Sequence, residues 1–451
     1  MTFTALFLVI LLLALAGFVL GRARARALGL HEKLHSLPRH YGSYLALYGL
    51  WPAALLLLLW LILQPLVLSK LIAADLPAAL GQDPAALNAA LTEAARLARG
   101  LAAAGEPSPA LVELAGRYRA LLDLGLAWRN GLVLALAALG LGLAYRRITP
   151  QLRARIFVEK AVLGLLMLAS LIAILTTLGI IWSMLSESIN FFALYPVQEF
   201  FLGLTWSPKF GGGSDLGFLP LFWGTLYITV IALAVAVPLG LFAAIYLAEY
   251  AKPPLRAFVK PLIEVIAGIP TVAYGLFALV TLGPFLRDYF AAPLGFGSSA
   301  SSVMNAGLVI GILNIPFISS LADDIINAVP QSLRDGSYGI GATKSETIRQ
   351  VVLPAALPGI SGAVLMAASR AIGETMIVVM GAGAAAKLSL NPFEAMTTMT
   401  VKIVGQLTGD TNFHSAETLV AFALGLTLFV ITLGLNILAV WITRKYREQY
   451  E

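Results

Sequence analysis

Apolar residues fall in long runs along this chain, and the breaks between runs hold most of the arginine and lysine. A run of about 20 apolar residues is long enough to cross the hydrocarbon core of a bilayer as a helix. On that criterion spans are expected near 3–21, 45–68, 131–145, 161–185, 218–249, 262–283, 303–321, 355–380 and 418–443. Arg22, Arg24, Arg26, Lys33 and Arg39 follow the first run, and Arg146, Arg147, Arg153, Arg155 and Lys160 follow the third. Lys252, Arg256 and Lys260 mark a later break, and Arg444, Lys445 and Arg447 close the chain. Short loops rich in Lys and Arg stay on the cytoplasmic side. Nine spans with the N-terminus outside and the C-terminus inside satisfy that rule at each of these loops. The last six then form a set with both ends inside, and residues 1–160 look like an appended module.

Residues 70–129 differ in kind: alanine-rich, with both signs of charge interspersed and no window apolar enough to span. Asp83-Pro84 and Ser108-Pro109 each read as an N-cap followed by proline at the first helical position. Leu87, Leu91, Ala94, Ala98 and Leu101 keep helical spacing, as do Leu111, Leu114, Tyr118 and Leu121. Gly105-Glu106-Pro107 separates the two sets, which predicts an outer helical hairpin for which a packing role is preferred to a binding one.

Composition agrees with the pattern. Of the 451 residues 59% are apolar and only 12% charged, against about a quarter charged in soluble domains. The net charge of +6 lies mainly in the loops, so it reports membrane orientation and implies no nucleic-acid partner. No cysteine is present, which excludes disulfides and thiol catalysis. The first apolar run carries its arginines after it rather than before it, the reverse of a secretory signal, so it is expected to be a retained span.

The loop before the eighth run carries the clearest motif. Asp335-Gly336-Ser337, then Gly341, then Val351-Val352-Leu353-Pro354 match the spacing EAA-x3-G-x9-I-x-L-P, with Gly336, Ser337 and Val351 departing from it in residue type. This resembles the membrane subunits of ABC importers, in which such a loop docks on the ATPase. GATKSETIRQVVLPAALPGI, SRAIGETM, EVIAGIPTVAYG and PLGLFAAIYLAEYA are similar to permeases of phosphate importers, and the likeness covers residues 161–447. It implies an all-α polytopic membrane protein of the bacterial cytoplasmic membrane. Its core would be a six-helix, type I-like ABC importer permease at residues 161–451, with three added N-terminal spans and the outer hairpin. The expected partners are an ATP-binding subunit dimer, a second permease subunit and an extracytoplasmic phosphate-binding protein. ATP and magnesium would be bound by the partner ATPase, leaving this chain with no cofactor and no catalysis of its own. Asp335, Gly336, Gly341, Glu346, Leu353 and Pro354 become the docking residues, within a loop of about 330–354. The residues support this without the family. The glycines allow close backbone approach and a sharp bend. Glu346, Ile348 and Arg349 continue a short two-sided helix, which Pro354 and Pro358 are expected to end.

Arg370 and Glu374 are expected one helical turn apart, between midplane and outer leaflet. A charge at the bilayer centre costs about 2.5–3.5 kcal/mol on insertion scales, so it usually faces a partner or a watery path. The plain alternative is mutual neutralisation. Arg preceding Glu is the weaker order for such a pair, and a guanidinium fork suits a pair of phosphate oxygens. In the family the resemblance indicates, the Arg and Glu of this motif are associated with phosphate passage.

Two further patterns point elsewhere. His31-Glu32-Lys33-Leu34-His35 fits H-E-x-x-H, which on a helix would offer two zinc ligands and a base. It lies in a short basic loop stopped by Pro38 with no evident third ligand, so a chance match is preferred to a membrane zinc hydrolase. Gly341-Ala342-Thr343-Lys344-Ser345 and Gly211-Gly212-Gly213 both fail the phosphate-binding-loop spacing. The energy must therefore come from another chain. A permease for another oxyanion or small solute would keep the same docking loop.

Overall fold

The computed structural model describes residues 2–74, 92–98, 109–209, 213–409 and 415–447, with backbone only at a few positions near those limits. It is built of helices, plus one two-residue antiparallel ribbon pairing Trp206–Ser207 (β1) with Asp215–Leu216 (β2). Two units divide it, Met1–Ile174 and Leu175–Glu451.

In the first unit α1 (Phe3–Leu28), α2 (Pro38–Ala74) and α3 (Pro109–Arg146) pack on one another. One apolar cluster joins Leu6, Ile10, Ala53, Leu57, Val133 and Ala137, and a second joins Ala25, Tyr41, Leu45, Ala144 and Ile148. Only small residues fit where the helices cross: a Cβ on Gly140 would lie 2.1 Å from the Tyr48 carbonyl oxygen. The Tyr41 hydroxyl donates to the carbonyls of Pro150 and Leu152, tying α2 to the turn after α3. The short third span expected at 131–145 is the last part of a 38-residue helix that begins at Pro109. The helical spacing of Leu111 to Leu121 therefore belongs to α3 itself. Residues 92–98 are helical, and the remaining hairpin positions, Asp83-Pro84 and Gly105-Glu106-Pro107 among them, fall outside the described residues. α4 (Ala154–Leu194), which begins in the first unit and ends in the second, is a 41-residue helix whose most apolar window has no buried residue.

In the second unit α6 (Leu219–Ile245) packs most extensively on α9 (Val303–Ala328), while α12 (Leu353–Ile372) packs on α15 (Ala416–Arg447) and α9. α5 is the short helix Val197–Leu202. The largest cluster gathers Ile228, Ala232, Val309, Ile310, Leu313 and Ile377. Small residues again set the distances: a Cβ on Gly362 would lie 2.5 Å from Thr443 Oγ1.

Eight helices among the described residues are long and apolar enough to cross a membrane. The span expected at 262–283 is different: α7 (Pro253–Ala267) and α8 (Thr271–Phe277, continuing with wide turns to Ala291) meet at 82° and make a ninth only if counted together. Gly268-Ile269-Pro270 explains the bend. Glycine ends α7, and a residue before proline is pushed out of the helical region. Asn305 on α9 holds the bent segment from inside, donating to the carbonyls of Ala278 (2.9 Å) and Gly381 (3.1 Å).

Candidate functional site

The docking loop is helical almost throughout. α10 (Gln331–Gly339) turns at Gly341, whose φ of +89° is a left-handed conformation that glycine adopts without strain. The Gly341 amide donates to Tyr338 O and the Ala342 amide to Ser337 O, closing the end of α10. Thr343 then caps α11 (Lys344–Thr347) in a reciprocal box with Glu346. Those bonds from Thr343 hold the Glu346 carboxyl below the usual carboxylate range. No helix end separates α11 from α12. A wide π-type turn at Ile348–Val352 connects them, so Leu353 and Pro354 open α12 without a break. Pro354 stands at the first positions of α12, where the ladder is already opened by the wide turn and its missing N–H disrupts nothing.

Of the expected docking residues, Asp335, Gly336, Gly341, Glu346 and Pro354 are exposed and Leu353 is half-buried. Among the described residues Asp335 accepts only from Gln331, 3.2 Å away on its own helix. Nothing lies within 4 Å of where a Cβ on Gly336 or Gly341 would be, so that face is open to a partner. At the turn Ile340 is 88% exposed, an apolar side chain that the motif spacing did not single out. Arg334, also missed, is the inward anchor: 8% exposed, it bonds Glu249 at 3.0 Å, Ile326 O at 2.8 Å and Val329 O at 2.5 Å. Ser337 and Thr347 share a buried hydrogen bond of 2.9 Å that closes α10 onto α11. The amphipathic spacing of Arg334 and Ser337, three apart, was the available signal.

Arg370 sits in the last turn of α12. Glu374 does not share that helix, which ends at Ile372 with Gly373 as its cap and resumes as α13 (Met376–Gly381). The one-turn pairing expected for Arg370 and Glu374 is thereby corrected. Glycine is a poor helix residue, and Thr375 adopts φ −113°. Among the described residues neither side chain takes part in an ion pair. The Arg370 guanidinium is exposed and lies 5.4 Å from the ring centroid of Phe317 on α9. The Glu374 carbonyl accepts from Thr400 Oγ1 at 3.1 Å, at the start of α14 (Met399–Gly409). The MTTMT stretch there is buried, and the Met399 amide donates to Thr225 on α6. A Cβ on Gly224 would fall 2.1 Å from the Thr397 carbonyl oxygen. One continuous helical path thus leads from an exposed loop to an arginine with no acidic partner among the described residues.

His31, Glu32 and His35 lie past the end of α1, in turns, so the two histidines share no helical face. Among the described residues no group of three His, Asp or Glu is placed to hold a metal.

The chain is 32% identical over 284 residues to the probable ABC transporter permease protein YqgH of Bacillus subtilis, spanning 62% of this chain and 87% of that one. This chain belongs to the ABC transporter permease family. Residues 236–448 of the permease match a family model described as the binding-protein-dependent transport system inner membrane component. Residues 7–176 match one described as a phosphate ATP-binding cassette transporter, so the N-terminal module carries a likeness that motif reading did not detect. The permease is also similar to the phosphate transport system permease proteins PstC of Mesorhizobium japonicum (34% over 256 residues, 52% of this chain and 74% of the other) and of Haemophilus influenzae (31% over 308 residues, 64% and 92%). As a permease it is a transporter subunit and a multi-span membrane protein, not an enzyme.

Proposed function

We propose that this permease forms the membrane path of an ATP-driven phosphate importer. The observation that carries the reading is Arg370: a guanidinium with no carboxylate on it among the described residues, at the end of the helix that begins in the exposed docking loop. An anion cannot enter a low-dielectric path without a positive group to replace its lost water. Arginine offers two parallel charge-assisted bonds to an oxyanion. Affinity there must stay moderate, since an anion held too tightly does not leave. Glu374, held by its backbone beyond the helix end, stands close in sequence and limits retention of a second negative charge. The names of the similar permeases support phosphate as cargo over other oxyanions.

In this reading Asp335, Gly336, Gly341, Glu346, Leu353 and Pro354 meet an ATP-binding subunit dimer, which binds ATP and magnesium. A second permease subunit completes the path, and an extracytoplasmic phosphate-binding protein delivers the anion. The N-terminus lies outside and the C-terminus in the cytoplasm, as the arginine-rich loops favour. The metal-hydrolase alternative lacks support, because its ligands share no helical face.

The test is labelled-phosphate uptake into vesicles holding the assembled complex. Arg370→Gln is expected to abolish uptake with expression and ATPase docking retained. Arg370→Lys keeps the charge, loses the fork and is expected to fall well below wild type. Wild-type uptake in Arg370→Gln removes this residue from the path. Equal competition by sulfate shows a general oxyanion permease instead.

A further inference from the structure

We infer that Asp323 is the pivot through which the docking loop moves α7, with Arg256 and Lys260 as its grips. The inference rests on the permease reading above, and it does not depend on phosphate as the cargo.

Asp323 lies near the inner end of α9 and is 1% exposed. Both its oxygens receive Arg256 Nη2, at 2.9 and 3.0 Å, and Oδ2 also receives Lys260 Nζ at 2.7 Å. Asn327, one turn on, donates its amide to the same carboxylate at 3.0 Å and accepts from Arg256 Nη1 at 3.4 Å. Arg256 and Lys260 come from α7, where they share one face with Glu264 at four-residue spacing. The opposite face is apolar and turned outward: Phe258 is 69%, Leu262 54% and Val265 65% exposed. No side chain of α7 is fully buried. Charge therefore replaces packing as the main attachment between α7 and α9. At its other end α7 meets the 82° bend at Gly268–Pro270.

The same turn of α9 is held by the docking loop. Ile326 O and Val329 O accept from Arg334 of α10, whose Nε and Nη2 also donate to Glu249 beyond α6. Two sets of cationic grips thus meet on this short stretch of chain, one from the loop that meets a partner and one from α7. A buried carboxylate stripped of its cations is strongly disfavoured. While the clamp is whole, displacement of the docking loop carries α7 with it about the glycine–proline bend. Arg256, Ala257, Lys260 and Glu264 line an open cavity of about 540 Å³ formed by α7 and the residue stretch just before it, so a probe placed there travels with α7. Lys260 has a second acid, Asp324 at 3.3 Å, so loss of Lys260 is the milder lesion.

The chain has no cysteine, so a single Ala257→Cys substitution reports on the cavity without background from this subunit. In the assembled, reconstituted complex the reaction rate of that thiol with a water-soluble reagent is measured without nucleotide and with ATP trapped by vanadate. Uptake and ATP hydrolysis are measured alongside. With the clamp intact the two rates are expected to differ. Asp323→Asn, which keeps shape and removes charge, is expected to bring the two rates together and to lower uptake per ATP about tenfold, an ordinary coupling strength, while hydrolysis continues. Arg256→Gln is expected to do the same, Arg256→Lys to restore part of the coupling, and Lys260→Gln to have the smallest effect. Should Asp323→Asn not assemble, Arg256→Gln carries the test, since that side chain is a third exposed. An undiminished rate difference with unchanged uptake per ATP in both variants overturns the inference. So does a thiol that is blind to nucleotide when Ala257→Cys is the only change, and phosphate uptake by that complex would leave the proposed function standing. Conversely, nucleotide-dependent labelling without phosphate uptake removes the cargo and keeps the pivot.

Discussion

At the scale of single residues, chemistry here depends on what each charge is given as a partner. Arg334 and Arg370 are both arginines flanking one loop-and-helix segment, yet one is buried with Glu249 and two carbonyls while the other faces outward over Phe317. Sequence marked Arg370, because a charge inside an apolar run stands out. Arg334 carries only the weaker signal of its three-residue spacing from Ser337, because it sits in a polar stretch and its partners, Glu249 and the Ile326 and Val329 carbonyls, are set by the fold. The break between Arg370 and Glu374 was in principle readable, since glycine followed by a new apolar start is a helix-end signal. Gly341 is constrained by its backbone conformation rather than by its neighbours. A side chain at φ +89° costs about 1–2 kcal/mol from backbone strain alone, and Gly341→Trp also fills the open face of the loop. The expected outcome is a stable membrane subunit with ATP-driven uptake lost or uncoupled, read by co-purification of the ATPase and by uptake. Normal uptake in Gly341→Trp would show that the partner docks elsewhere.

At the scale of elements, hydropathy locates the helices well and their continuity poorly. Apolar windows end where charge begins, so α3 reads as a short span, although its polar first half is helical too. The window at 262–283 conceals a corner, because Gly268 and Pro270 interrupt its hydropathy too little to show, while their backbone geometry bends the chain. α7 reverses the usual amphipathic logic, with charges inward to Asp323 and large apolar side chains outward. The acids on α9, Asp323 and Asp324, far away in sequence, explain it. α10 is anchored inward chiefly through Arg334 and Glu249. Arg334→Ala strands Glu249, which is 9% exposed, and removes both carbonyl contacts. Breaking such a pair costs about 3–5 kcal/mol. Arg334→Ala is therefore expected to detach α10 from α9, lower the thermal stability of the subunit and lower uptake. Glu249→Gln keeps one acceptor and is expected to be milder. Equal stability of Arg334→Ala and wild type would show that α10 is held by other contacts.

At the scale of the whole molecule, the family and the all-helical fold were legible from spacing in the second unit. The first unit carries no motif that pointed to the family, and its kinship emerged only through comparison over residues 7–176. Its helices are joined by apolar and small-residue contacts, which leave no chemical signature in a single sequence. α4 carries a final consequence. At 41 residues and about 1.5 Å each it is roughly twice as long as the hydrocarbon layer is thick. Its apolar stretch is uncovered, with Val162 at 48% and Trp182 at 73% exposure. Where acyl chains solvate such a rod, its lean answers to the thickness of the lipid layer. Spin labels at residues 162 and 182 are expected to report a steeper tilt in shorter-chain bilayers. An unchanged tilt would mean that another subunit grips the rod.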